Sequence, residues 1–548
     1  MSESLNIARY LPEIASRQPE TLAVAFPVSW DGARHGYQRW DYRTLEAESN
    51  RIARGLQSIG ITRAMRTVLM VRPSLEFFAL TFAMFKIGAV PVLIDPGLGL
   101  GNLKQCLAEA EPEAFIGIPK AHVARLLFGW GKATLKILVT VGGPKYWGGV
   151  SLADVKSADG APVLEFAGEK DTAAILFTSG STGVPKGAVY THGNFDTQVR
   201  ILKRIYNIEP GEIDLPTFPL FALFAPALGM SSVIPDMDFT RPAEVDAAKI
   251  ASAAKEFQIT QMFGSPALIN RVGRYLEKNK IRLEGLKRVV SAGAPVAAKV
   301  LERMSAHIPD GAEIHTPYGA TEGLPVATIG SKEILSATRF ETAKGAGVCV
   351  GRPVRETEVK IITITDRAIP VWSEDLKVRR GRIGEIAVKG PVVTSGYYGR
   401  DDANRLSKIR CEDGSFYHRM GDVGYLDENG RIWFCGRKAH RVSTPEHIFY
   451  SVPCEAVFNE HPDVFRTALV GVESERLMRP VLCVELEKDR QDVSRDKVKA
   501  ELLGLGRAHD HTRPIDTFLF HPGFPVDIRH NAKIFREKLA VWAWEELR

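Results

Sequence analysis

The chain has 548 residues, 45% apolar and 25% charged, the composition of a folded globular protein; this excludes disordered, collagen-like and membrane-embedded classes. That length exceeds the ~250 to 300 residues at which a single core stops growing, so two or more domains are expected. Lysine and arginine number 71 against 65 acidic residues, and the excess of +6 is too thinly spread to indicate nucleic acid, although it permits anionic ligands.

The start, Met1 to Glu20, carries Glu3 and Arg9 and lacks a basic leader followed by an apolar run, so no export signal is expected. Leu45, Ile52, Ala53 and Leu56 then fall on one helical face, and Val68 to Val71 form a short strand-like run. The most apolar window, Phe77 to Pro96, is interrupted by Lys86, Gly88 and Pro91. It predicts a buried helix over 74–86 and a strand over 90–94, and no transmembrane segment. A further apolar run, Ala173 to Phe177, leads into a Gly-rich segment. Strands alternating with helices predict βαβ units and a mostly parallel sheet. Beyond about Arg355, alternation in Thr357 to Ile362 and Gly384 to Lys389 predicts a β-rich lobe. A boundary is expected at the basic stretch Arg437 to Arg441, before strand-like Arg466 to Val472 and Val481 to Glu487. The six cysteines, Cys106, Cys349, Cys411, Cys435, Cys454 and Cys483, have neither zinc nor redox spacing, which fits a reducing cytoplasm.

Residues Leu176 to Gly187 read LFTSGSTGVPKG. Glycines let backbone N–H groups close on phosphate oxygens, hydroxyls add donors, and Lys186 adds a cation. This is not a Walker loop, because Pro185 precedes Lys186 and Gly187 follows it. Further along come Ser291-Ala292-Gly293-Ala294-Pro295, Tyr318-Gly319-Ala320-Thr321-Glu322, Met420-Gly421-Asp422, Cys435-Gly436-Arg437-Lys438 and Arg529-His530-Asn531-Ala532-Lys533-Ile534. In this order the segments resemble the adenylate-forming superfamily, which includes acyl-CoA synthetases, luciferases and peptide-synthetase adenylation domains.

The resemblance implies ATP and Mg2+ as cofactors. It implies that Thr178, Ser179, Gly180, Ser181, Thr182, Gly183 and Lys186 surround the β and γ phosphates, and that Gly293, Ala294 and Pro295 lie against adenine. Tyr318 and Gly319 lead to Thr321, on the α-phosphate, and to Glu322, on magnesium. Asp422 would hold the ribose hydroxyls, Arg437 the ribose or a phosphate, and Lys533, the catalytic lysine, the space between substrate carboxylate and α-phosphate. The implied fold is α/β: a large N-terminal domain over 1–436, with stacked βαβ subdomains and a β-rich lobe, a hinge over 437–440, and a small mobile α+β domain over 441–548.

The chain departs from thioester-forming relatives. Ala222 stands where many have histidine, Ala439 where the hinge carries aspartate or lysine, and Ser443-Thr444-Pro445-Glu446-His447 where a glycine-containing loop lines the pantetheine tunnel. Proline fixes φ and removes a donor, so this loop cannot take a glycine's conformation. As a whole the chain resembles the β-lactone synthetase family of bacterial long-chain olefin biosynthesis. The implied substrate is a long-chain 2-alkyl-3-hydroxyalkanoic acid whose own hydroxyl expels AMP. The implied pathway partners are a thiolase-type condensing enzyme, a reductase and an α/β-hydrolase-fold β-lactone decarboxylase. Such a substrate needs a roomy apolar pocket, for which Phe218, Phe221, Phe224, Leu228, Met262 and Phe263 are candidates. His192 and His315 lie near the motifs, but no residue is assigned as the base for the hydroxyl. The alternative is a long-chain acyl-CoA synthetase or acyl-AMP ligase.

Overall fold

The computed structural model describes residues 4–32, 35–156, 160–178, 185–474, 477–490, 492–527 and 533–548. The helix Tyr42–Ser58 starts at Asp41, whose side chain accepts the Thr44 N–H at 2.7 Å, and its face of Leu45, Ile52, Ala53 and Leu56 is fully buried. It packs on the helix Leu75–Lys86, which is capped by Ser74 and buried on all sides. Lys86 interrupts the apolar window in sequence yet has no exposed surface. Its ammonium donates to Glu46 Oε2 at 2.7 Å, Ser49 Oγ at 2.8 Å and Asn50 Oδ1 at 2.7 Å, so all three of its hydrogens are placed. Burial lowers its pKa against the pull of Glu46.

These helices cover a seven-stranded sheet ordered Val150–Ser151, Ile137–Thr140, Ala114–Gly117, Arg66–Met70, Val90–Ile94, Thr172–Thr178, Lys186–Thr191. It is parallel until the last pair, where Lys186–Thr191 returns antiparallel beside Thr172–Thr178. Thr178 therefore faces Lys186 across a hairpin, and the connecting residues 179–184 lie outside those described.

A second, 14-stranded sheet is parallel in its middle, where Ser231–Val233, Ile213–Pro216, Gln261–Phe263, Arg288–Val290 and Glu313–Ala320 lie side by side. From Glu313–Ala320 onward its strands pair antiparallel. The expected β-rich lobe is thus the antiparallel continuation of the large sheet, joined through Val348–Pro353 and Ile432–Arg437.

Beyond Arg441, Val464–Ser474, Leu477–Leu486 and Phe518–Phe520 form a three-stranded sheet. Two apolar clusters around it draw their buried members wholly from residue Val442 onward. The helix Ser451–Phe458 packs on the strand Ile432–Arg437, and Lys299 pairs with Glu487 at 2.9 Å and Arg441 with Asp366 at 2.8 Å. Among the described residues no helix is long and apolar enough to cross a membrane.

Candidate active site

Adjacent antiparallel strands put Asp422 directly opposite Arg437. Arg437 Nη1 donates to Asp422 Oδ1 at 2.6 Å and to the Met420 carbonyl at 3.2 Å. Tyr318, from the strand Glu313–Ala320, donates its hydroxyl to Asp422 Oδ2 at 2.7 Å. Asp422 is buried, and its carboxylate raises the Arg437 pKa, which keeps the guanidinium charged. A carboxylate is acceptor-only with about four lone-pair positions, so one that is held at both oxygens still has capacity for a diol.

Thr321 and Glu322 occupy the turn between Glu313–Ala320 and Gly323–Gly330. A side chain on Gly319 would meet the Gly323 carbonyl oxygen at 2.6 Å, so this turn closes only with glycine there. Two tyrosines that no motif flagged pin it. Tyr190 donates its hydroxyl to the Thr321 carbonyl at 2.5 Å, and Tyr397 donates to Glu322 Oε1 at 2.6 Å. The Lys186 ammonium sits 5.0 Å from the Tyr397 ring centroid, so one aromatic links the Gly-rich hairpin to the Glu322 turn. Behind them Lys408 donates to the Thr394 carbonyl, and burial brings its pKa down to about 7. His418, opposite Lys408 on the neighbouring strand, is held neutral by burial and by the cations Lys408, Lys186 and Arg437.

Ser179, Gly180, Ser181, Thr182 and Gly183 lie outside the described residues; of the same segment Thr178 ends its strand and Lys186 begins the next. Gly293, Ala294 and Pro295 follow the strand Arg288–Val290 as a turn in which Gly293 takes φ +98° and, like Pro295, is exposed.

A cleft of about 1270 Å³ is lined by Pro185, Asp366, His440, Arg441, Ser443 and Lys533, among others. Lys533 thus shares a cleft with Pro185 of the Gly-rich segment. The Lys533 carbonyl accepts the Asp527 N–H at 2.9 Å; Arg529, His530, Asn531 and Ala532, between them, lie outside the described residues. Burial, with Arg536, Arg437 and Lys533 nearby, lowers His440 to about 3, so it contributes no charge to the cleft wall near neutral pH. At the cleft edge the altered loop is a closed hairpin: the Thr444 N–H donates to the His447 carbonyl at 2.8 Å, and the His447 N–H to Thr444 Oγ1 at 3.0 Å.

A separate cavity of about 90 Å³ is lined by Phe221, Phe224, Leu228 and Phe263, with the Phe221 and Phe263 rings 4.4 Å apart. Phe218 packs on Phe221 at 5.3 Å without lining it. Met262 does not belong to it: alternation along Gln261–Phe263 turns its side chain into the opposite core, with Leu215, Leu268 and Val289. With these side chains as placed, the cavity is smaller than the roomy site expected from the sequence. Sequence reasoning missed the polar lining, Gln198, Asp214 and Gln261. His192 and His315 do not line this cavity: His192 Nδ1 accepts the Ile7 N–H at 3.1 Å and is lowered to about 4 by burial, and His315 packs on Tyr206.

The profile of the "AMP-binding enzyme" family matches residues 11–398. The chain is 51% identical to the olefin beta-lactone synthetase of Xanthomonas campestris pv. campestris, covering 100% of this chain and 99% of that one. It is 50% identical, with the same coverage, to the olefin beta-lactone synthetase of Stenotrophomonas maltophilia. The amide bond synthetase McbA from Marinactinospora thermotolerans shares its fold, with a TM-score of 0.80 at 20% identity over 98% of this chain and 99% of that one. With the family match spanning most of its length and half its residues shared with full-length relatives, the chain belongs to the AMP-binding enzyme family.

Proposed function

We propose that this protein uses Mg-ATP to activate a long-chain 2-alkyl-3-hydroxyalkanoic acid as acyl-AMP and closes it to a β-lactone, with release of pyrophosphate and then AMP. The observation that carries this reading is identity of about one half with two olefin beta-lactone synthetases along the whole chain, including the part beyond the hinge segment. The proposed division is an adenylation domain over 1–436, a hinge over 437–440 and a small domain over 441–548.

In this reading Asp422 accepts the ribose hydroxyls, Arg437 holds the ribose or a phosphate, and Gly293, Ala294 and Pro295 lie against adenine beside Tyr318 and Gly319. Thr178 to Gly183 and Lys186 cradle the β and γ phosphates. Thr321 meets the α-phosphate, and Lys533 stabilises charge between the attacking carboxylate and the α-phosphorus. The Glu322 carboxylate, fixed through Tyr397, suits magnesium, which binds through one or two carboxylates plus substrate phosphates. Magnesium supplies neutralisation of phosphate charge. Phe221, Phe224, Leu228 and Phe263 border the acyl chain, whose full length requires these side chains to move apart.

The discriminating experiment incubates the protein with ATP, magnesium and a long 3-hydroxy acid, with and without coenzyme A. A neutral lactone formed equally in both arms is expected; thioester formation that depends on coenzyme A, without lactone, would sink the reading and favour an acyl-CoA synthetase. Asp422→Asn is expected to raise the KM for ATP about 10- to 100-fold, the loss of a charged hydrogen bond worth ~1.5–3 kcal/mol. Steady-state ATP titration measures it, and an unchanged KM removes Asp422 from the ribose site.

A further inference from the structure

The acyl cavity is not wholly apolar. Along the strand Ile213–Pro216, alternation sends Leu215 into the core beside Met262 and turns Asp214 to the opposite face, where it borders the cavity. Gln261, its partner on the next strand, donates Nε2–H to Asp214 Oδ1 at 3.0 Å. Gln198, on the helix His192–Tyr206, donates Nε2–H to the Leu324 carbonyl at 2.9 Å. That bond fixes the amide so that Gln198 Oε1 is left buried without a hydrogen-bond partner, on a residue only 5% exposed.

A cavity built for plain alkyl chains has no use for these groups, because an unsatisfied buried polar atom costs about 1–3 kcal/mol. Both Asp214 and Gln198 Oε1 are acceptors, and the Tyr206 hydroxyl on the same wall is paired with Thr328 Oγ1, so a ligand that brings a donor would satisfy them. On a 3-hydroxy acid the hydroxyl is the one donor of an otherwise apolar acyl group. The same cavity touches Ala292 and Pro317, next to Gly293 and Tyr318, and Leu324, two residues after Glu322. Asp214 and this nucleotide-proximal wall therefore border the same cavity.

We propose that Asp214 is the base that removes the proton of the substrate's 3-hydroxyl, with Gln198 and Gln261 orienting it; this rests on the lactone-forming reading above. The hydroxyl O–H bond breaks and its proton passes to the Asp214 carboxylate. The oxygen's electron pair forms the bond to the acyl carbonyl carbon, and the bond from that carbon to the phosphate oxygen breaks, its pair leaving with AMP. The proton returns to solvent after the lactone departs. Burial raises the Asp214 carboxyl to about 7, with Gln261 and Arg288 lowering it and Glu212 raising it; Tyr206 is the other titratable group on the wall. A carboxyl in that range is ionised in part near neutrality and a stronger base than an exposed one.

The test follows the two half-reactions separately in the full chain with ATP, magnesium and a long-chain 2-alkyl-3-hydroxyalkanoic acid. Asp214→Asn is expected to release first-turnover pyrophosphate within about threefold of wild type, while lactone formation falls about 10²- to 10⁴-fold and acyl-AMP accumulates. In the wild type the lactone-forming step should rise with pH and level off above about 7, as the base deprotonates. Gln198→Leu should slow lactone formation about tenfold and weaken the preference for the hydroxy acid over its 3-deoxy analogue. Lactone formation by Asp214→Asn at the wild-type rate overturns the proposal. If that variant does not fold, a wild-type lactone step flat from pH 5 to 8, or Gln198→Leu with wild-type rate and preference, overturns it instead. A wild type that makes no lactone defeats the functional reading itself, which is a distinct result.

Discussion

Lys533→Ala lowers pyrophosphate release about 10²- to 10³-fold, the usual loss when one preorganised donor to a developing charge is removed, while ATP still binds. The expectation follows from placement. Lys533 and Pro185 line the same cleft, where Arg441 is paired with Asp366 and Arg536 with Glu455, so Lys533 stands where a phosphate beside the Gly-rich segment would meet it. Because the nucleotide's ribose contacts are assigned to Asp422 and Arg437, the affinity for ATP should change by less than about fivefold. Single-turnover pyrophosphate release and nucleotide titration measure the two quantities independently. Undiminished release would remove Lys533 from the adenylation step.

Lys86→Ala destabilises the large domain by about 3–5 kcal/mol, the cost of breaking a buried ion pair by deleting one partner. Lys86 is fully buried and ties the helix Leu75–Lys86 to Glu46, Ser49 and Asn50 on the helix Tyr42–Ser58. The truncation leaves Glu46 Oε2 facing a void without its cation, and Ser49 Oγ and Asn50 Oδ1 each lose one hydrogen bond. Adding Glu46→Gln should recover part of the loss, since the stranded charge goes with it. Equilibrium urea unfolding reads both effects; a single-variant loss below about 1 kcal/mol would show that water takes over the role of the ammonium.

Much of this architecture was legible because it is written in local period. Ser74 caps the expected helix, and Val90–Ile94, Glu358–Ile362 and Gly384–Lys389 are strands at the expected residues, the last buried along its length rather than alternating. Non-local features were not legible. Lys86 reads as a break in an apolar window because its three acceptors lie on a different helix. The β-rich lobe joins the parallel sheet through pairings that no run of sequence announces. Met262 and Phe263 are both apolar in a three-residue strand, so only the fold decides which one meets the cavity. Asp214 and Gln261 are single polar residues in short strands and form a pair only in register. Tyr190 and Tyr397 match no motif, yet they hold the turn that carries Glu322. The motif residues can be named from sequence because a superfamily order of segments exposes them; the groups packed around them leave no such trace.

Arg437 is the last residue of its strand, and the chain leaves the large sheet immediately after it. A rotation of the small domain about residues 437–440 would therefore have its axis passing beside the Asp422–Arg437 pair. Displacement grows with distance from an axis: the Asp422–Arg437 pair would barely move, and Lys533, which lines one cleft with Ala439 and His440, would turn more than it travels. With the roles proposed above, a nucleotide held at Asp422 and Arg437 could stay seated while Lys533 is reoriented beside it, which separates retention of the nucleotide from the placement of the lysine.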